Sequence, residues 1–230
     1  MANENPPPKS LPEILPVFPL TGILLLPGMP LPLHVFETRY RNMVEDALKA
    51  EGVFGMIQPV VPQRDNQPLP GTDNENPDLY KVGCAGYIEK WERSADGRFT
   101  IELKGLNRFR ADEELPLHRG YRRVKANYEE FPDSSIAQDW KCDRTALTHA
   151  LQDYAKTRGL QVQMKQLKRF DDLELVNILG ISLPFHPAEK QALLEASSLK
   201  DRELLLVNLL RFGTEQDPSG GLDVPARTIN

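Results

Sequence analysis

Few side chains of this 230-residue chain could bind a metal, move a proton or attack a carbonyl. The histidines are His34, His118, His149 and His186, and no two stand at the His-x-x-x-His spacing that places two ligands on one helical face. His34 follows an apolar run and is expected as a hydrogen-bonded core or half-buried residue. His186 precedes Pro187 and is expected to cap a helix. Cys84 and Cys142 can build neither a four-cysteine zinc site nor a disulfide framework. Ser182, in Gly180-Ile-Ser182-Leu-Pro184, lacks the closing glycine of a nucleophile elbow, and its plain reading is a serine leaving a helix. No Gly-Lys dipeptide and no Gly-x-Gly-x-x-Gly occur, so neither a Walker phosphate loop nor a dinucleotide turn is present. The expectation is no catalytic residue, no metal and no cofactor.

One stretch could meet a polyanion. Lys104–Lys125 holds Lys104, Arg108, Arg110, Arg119, Arg122, Arg123 and Lys125 against Asp112, Glu113 and Glu114. Strand alternation puts Arg108 with Arg110, and Arg123 with Lys125, on shared faces. Arg108, Arg110, Arg122 and Arg123 are therefore the candidates for nucleic-acid binding. The net charge of −5 and pI near 5.5 argue against a protein held broadly by phosphates, and a solvated sheet face paired with Glu is the alternative.

The elements that would position these groups begin with a deceptive run. Ile14–Phe36 carries no Asp, Glu, Lys or Arg, but Pro16, Pro19, Pro27, Pro30 and Pro32 would break a spanning helix at roughly 3 kcal/mol each. The leader also lacks the features of a secretory signal, so a cytoplasmic location with reduced thiols is expected. Short strands are expected at Leu15–Leu20, Ile23–Leu26 and Leu31–Val35. Phe36, Tyr40, Met43, Val44, Ala47 and Leu48 recur at helical spacing, which predicts an amphipathic helix over Glu37–Ala50 anchored by Phe36 and Tyr40. Val53–Pro59 reads as a buried strand and 62–79 as a long polar loop. Val82–Arg93 and Arg98–Leu106 read as a hairpin turned by Asp96-Gly97, with further strands at Arg108–Asp112 and Tyr121–Tyr128.

After Pro132 the pattern turns helical. Ser135-x-x-Gln138 is a capping box for a helix carrying Trp140, Leu147, Leu151 and Tyr154 as far as Gly159. Asp171-x-x-Glu174 opens a second helix through Ile178, Pro187 a third at Ala188–Ala196, and Asp201–Phe212 makes a fourth with Gly213 as its stop. The division is a disordered leader (1–11), a β-rich part (12–131), a helical part (132–213) and a flexible tail (214–230).

The early motif can now be read as a unit. Leu15-Pro-Val-Phe-Pro-Leu20 and Leu24-Leu-Leu-Pro-Gly-Met-Pro-Leu-Pro-Leu-His-Val-Phe-Glu-Thr-Arg-Tyr40 closely resemble the opening of the Lon protease N-terminal (substrate-binding) domain family. Thr38 stands where that family often has Pro. Tyr80–Ile88, Gly105–Arg110 and Pro187–Glu195 resemble its later segments, so the resemblance covers about residues 12–213. Gly28 is expected to permit a tight turn between prolines where a side chain would clash, and Arg39 to pair with Glu37 or a nearby carbonyl. The resemblance implies an α+β fold: a PUA-like β pseudo-barrel with one amphipathic helix, followed by an all-helical C-terminal bundle. It implies a standalone form without the ATPase and peptidase domains, and so no enzyme.

The implied function is a non-catalytic polypeptide-binding module, for substrate recognition or as an adaptor linked to ATP-dependent proteolysis. The expected partners are unfolded or degron-bearing polypeptides, with a separate protease as a further candidate, and no membrane. The crease between the two parts is the candidate groove, with Phe131, Trp140, Leu183 and Phe185 as peptide-binding residues. The alternative for these four is a weld between the parts. An RNA-binding PUA-like protein ranks behind this reading, and a hydrolase with an unrecognised site ranks last.

Overall fold

The computed structural model describes residues 3–60, 77–131 and 140–215. Among these, the strands are β1 (Asn3–Glu4), β2 (Ile14–Pro19), β3 (Pro30–Val35), β4 (Val53–Ile57), β5 (Val82–Arg93), β6 (Phe99–His118) and β7 (Tyr121–Asn127). Helix α1 (Thr38–Leu48) lies between β3 and β4. The helices α2 (Arg144–Thr157), α3 (Met164–Leu167), α4 (Asp172–Ser182), α5 (Pro187–Glu195) and α6 (Leu199–Glu215) follow the last strand. Strands segregated from helices in this way make an α+β fold.

The described strands form one sheet in the order β1-β5-β4-β2-β7-β6-β3, and a further β5–β6 pairing closes a ring of β5, β4, β2, β7 and β6. Within the ring β2 runs parallel to β4 and antiparallel to β7. Strand β3 lies outside the ring at an edge, paired with β6 alone. That edge is what tolerates Pro30 and Pro32: both are exposed, while Leu31, Leu33 and Val35 alternate inward. His34 therefore points outward, exposed, with its Nδ1 3.2 Å from Thr100 Oγ1, and is not part of the core.

Several expectations change. Ile23–Leu26 is not a strand. It is an irregular segment whose Leu24, Leu25 and Leu26 are all buried, a run that strand alternation could not bury on one face. Gly28 does sit at φ 81°, but open space surrounds its missing Cβ, so the turn needs its backbone and not its small size. The two strands expected from Arg98 to Asp112 are one strand, β6. Residues 3–11 belong to the described structure and Asn3–Glu4 pairs with β5, in place of a disordered leader.

Among the helices, Asp143 caps α2 by accepting from Ala146 N at 3.0 Å, so Trp140 precedes the helix. The Ser135–Gln138 box and the bulk of the polar loop lie outside the described residues, as does the tail beyond residue 215. The Asp171/Glu174 capping box is present, and α4 runs on to Ser182. His186 caps α5, with Glu189 closing the box and Pro187 at the first helical position. Gly213 does not stop α6. It lies inside the helix, where a Cβ would stand 2.5 Å from Tyr154 Cε2. The short α3 has no strong sequence pattern and was not expected.

The core explains why the two halves hold together. Leu15, Val17, Val53, Ile57, Ala85, Tyr87, Phe109 and Val124, drawn from all five ring strands, form one cluster. A larger cluster runs without a break from Phe18, Leu33 and Phe54, through Met43 and Val44 of α1, to Leu147, Leu179, Leu193 and Leu206. The parts expected as 12–131 and 132–213 thus share apolar contacts.

Candidate functional site

The crease between sheet and helices was the first candidate. Phe131, Leu183 and Phe185 are 4%, 0% and 8% exposed and sit in the large cluster, so they join the halves and present no surface to a ligand. Trp140 is half-buried, and its Nε1 donates to Glu203 Oε2 at 3.2 Å. The crease is also closed by polar contacts that the sequence did not reveal. Gln58 Nε2 donates to Pro187 O and Gln191 Oε1, both at 3.1 Å, and Gln191 Nε2 donates to Val82 O at 3.0 Å. Lys190 Nζ reaches Gly22 O and Ile181 O at 3.0 and 3.1 Å. Lys190 and Gln191 belong to the motif that carried the family resemblance, and they serve this junction.

The basic candidates are engaged by groups of the chain itself. Arg108 is 1% exposed, and its Nη1 donates to Leu194 O and Ala196 O at the end of α5. That placement satisfies helix-terminal carbonyls and sets a cation against the negative end of the helix. Arg110 is bound to Glu130. Arg122 is 7% exposed, gripped by both oxygens of Glu114 at 2.6 Å, and donates to Pro77 O. Arg123, half-buried, reaches Pro116 O. Arg108 and Arg110 do alternate with the inward Phe109 on β6, but each is taken up by a partner within the chain.

Among the described residues the exposed large apolar side chains lie elsewhere: Ile14, Phe36, Val60, Leu117, Leu204 and Phe212. Phe36 is 62% exposed and Leu117 is 51% exposed. The expectation that Phe36 anchors α1 fails, because it stands before the N-cap Glu37 and the position it would staple is Arg41. Tyr40 alone takes that role, stacked on Phe18 with ring centres 4.1 Å apart. A Cβ on Gly120 would lie 3.3 Å from Arg39 Cβ, so the β6–β7 turn sits against the start of α1. Arg39 is held over the Tyr40 ring and paired with Glu37 at 2.9 Å, as the sequence suggested.

A charged clamp fixes this end of the molecule. Arg119 takes φ 49°, unusual for a residue with a Cβ, and with Gly120 forms the tight β6–β7 turn. Its guanidinium is bound to Asp46 and, at 3.2 Å, to Glu45, while its carbonyl accepts from Asn42 Nδ2 at 2.9 Å. Tyr121 Oη donates to Asp46 Oδ2 at 3.1 Å, and Arg93 from the β5–β6 hairpin binds Glu45 at 2.9 Å. Both hairpins are thus tied to α1. Partial burial would raise the Asp46 carboxyl, but the hydrogen bonds from Tyr121 and Arg119 outweigh it and hold the group below its ordinary value. Burial, with Asp46 as acceptor, pushes Tyr121 up to about 12.

The nucleophile candidates have environments unlike those of reactive groups. Cys84 is fully buried. Burial and a hydrogen bond to Glu203 push the Cys142 thiol up to about 12, the opposite of what a nucleophilic thiolate needs. Ser182 is exposed at the end of α4. Among the described residues no group of three or more His, Cys, Asp or Glu side chains could hold a metal ion, and no helix is long and apolar enough to cross a membrane.

The fold is thus α+β, with its crease closed by apolar and polar contacts and with exposed apolar side chains outside it. The chain belongs to the family described as the ATP-dependent protease La (LON) substrate-binding domain, whose model matches residues 14–211. It is 27% identical over 223 residues to a Lon protease of Anaeromyxobacter dehalogenans, covering 88% of this chain and 23% of that one. It is 25% identical over 206 residues to a Lon protease of Dictyoglomus thermophilum, covering 84% and 24%. The chain thus spans about a quarter of the length of these curated relatives. Its fold is like that of a Lon N-terminal domain protein from Xanthomonas campestris, with a TM-score of 0.57 at 23% identity over 86% of this chain and 96% of that one.

Proposed function

We propose that this chain is a non-catalytic module that binds unfolded or degron-bearing polypeptide segments and serves substrate recognition, or acts as an adaptor, for an ATP-dependent protease. The observation that carries the proposal is the match of the substrate-binding family over residues 14–211. The closed five-strand ring supports reading the β part as a PUA-like pseudo-barrel, and the run of helices after β7 supports reading the remainder as a bundle. The Cys142 thiol, pushed up to about 12 by burial and Glu203, is unlike an activated nucleophile, which supports a role without bond-making chemistry.

The gripping surface is the end where α1 meets the β6–β7 turn. Phe36 and Leu117 supply apolar contact there, and Arg39, Glu37 and His118 supply an adaptable polar rim, the combination that recognition of varied chains requires. A benzophenone amino acid placed at position 117 tests this. Photolysis with β-casein, an unstructured polypeptide, should give a covalent adduct. No adduct at position 117, with labelling at an unrelated exposed site such as 152, would remove this surface.

A further inference from the structure

Strand β5 is twelve residues long, and its neighbour β4 is five. The β4 ladder covers β5 only from Cys84 to Tyr87. Ile88 N still donates to Gly52 O at 2.8 Å, and from Glu89 onward β5 keeps β6 on one side and offers an edge on the other that β4 does not reach, where backbone donors and acceptors are available to an added strand.

The N-terminal segment occupies part of that edge. Asn3 pairs with Trp91 and Glu4 with Lys90, antiparallel. Asn5 N donates to Glu89 O, and Asn5 Nδ2 donates to Ile88 O, both at 3.0 Å. The side chains of Asn3 and Glu4 are exposed and fill no pocket. This seat is held by main-chain bonds and one amide. It recognises an extended backbone and not a sequence, which is how strand addition accepts diverse peptides. Pro6, Pro7 and Pro8 follow at once and carry no backbone donor, so the segment cannot lengthen the ladder beyond Asn5.

The edge also leads to the proposed gripping end. Arg93 and Val35 are both register partners of Phe99, Phe36 follows Val35, and Trp91 packs on the Phe99 ring with centres 6.1 Å apart. We infer that the edge of β5 from Glu89 to Arg93 is a strand-addition site for an extended polypeptide, and that residues 3–5 are its displaceable occupant. The inference rests on the polypeptide-binding reading above and adds the mode of capture. A tethered segment competes at an effective concentration on the order of mM, so its seat lowers the apparent affinity for every incoming chain.

The test measures binding of fluorescently labelled β-casein to the full chain and to the Asn3→Pro/Asn5→Pro variant by anisotropy, with amide shifts recorded by NMR. Pro at position 5 removes the donor to Glu89 O, and neither residue is part of the core. The variant should bind at least about threefold more tightly, and casein should shift the amides of Glu89–Arg93. The milder Asn5→Ala, which loses the bond to Ile88 O, should move affinity the same way by less. Equal or weaker binding by both variants, self-association through the freed edge in place of casein binding, or binding without shifts at Glu89–Arg93 would overturn the inference and leave the binding function standing. Absence of casein binding by all three proteins would instead overturn the function, and the inference with it.

Discussion

The Arg108 guanidinium carbon lies 4.4 Å from the centre of the Phe131 ring, while Nη1 donates to Leu194 O at 2.9 Å and Ala196 O at 2.6 Å. One side chain of β6 thereby joins the last described residue before the helical part to the end of α5. Asn107 Nδ2 adds a bond to Phe131 O at 2.9 Å. The domain junction is a packed, hydrogen-bonded seam.

The seam makes Arg108 expensive to remove. Arg108→Met keeps an apolar stem beside Phe131 but leaves two carbonyls without their donor, at a cost of roughly 2–5 kcal/mol. Guanidinium unfolding followed by circular dichroism measures it. A loss under about 0.5 kcal/mol, the range of an ordinary surface change, would show that the arginine is not structural.

Gly213 separates two meanings of a glycine. At an unhindered position inside a helix it would accept Ala with a gain in helix propensity of up to about 1 kcal/mol. Packed on Tyr154, where a Cβ would meet the ring at 2.5 Å, Gly213→Ala should instead destabilise by about 1–3 kcal/mol. Thermal unfolding decides by the sign of the change in Tm.

These two positions show where sequence reading succeeds and fails. Local rules are met by local geometry: Asp171/Glu174 and His186/Glu189 form their boxes, Arg39 pairs with Glu37, and β3 alternates as written. Tertiary partners are not written locally. Arg108 and Gly213 carry patterns that suit a basic face and a helix end, and only contacts 86 residues away for Arg108, or with Tyr154 for Gly213, reassign them. Ile23–Leu26 looked like a strand because apolar content was visible and ladder partners were not. The exposure of Phe36 had a legible sign in Arg41, which offers no apolar partner for a staple. Of the candidate site, the family motif was legible, and the exposure of Leu117 was not.

Asp46 gives the clamp a pH dependence. Its carboxyl lies below the ordinary 3.8 in the folded protein, so its contribution is complete above that value and is lost as pH falls through the folded pKa. Asp46→Asn should lower Tm at neutral pH by a few degrees, about what the loss of 1 kcal/mol or less produces. The gap between the two proteins should close as pH drops below the ordinary carboxylate value. A gap that persists unchanged in acid would assign the loss to packing and not to charge.

Cys142 should be sluggish toward electrophiles. With its thiol pushed up to about 12 by burial and by Glu203, the thiolate fraction at pH 8 is very small. Iodoacetamide should alkylate it at least about tenfold more slowly than a free cysteine of ordinary pKa near 8.5. Reaction as fast as free cysteine at pH 8 would mean that the thiol is activated, and would reopen a catalytic reading.

The most direct measurement is equilibrium titration of labelled β-casein with the purified chain, alongside Phe36→Ser/Leu117→Ser, with the casein examined afterwards for cleavage. Saturable binding by the unaltered chain, at least about tenfold weaker binding by the variant, the ~1.4 kcal/mol that a small hot spot supplies, and casein recovered intact are the predicted results. No saturable binding, equal binding by both proteins, or casein cleaved by the unaltered chain but not by a single-site variant would contradict the account.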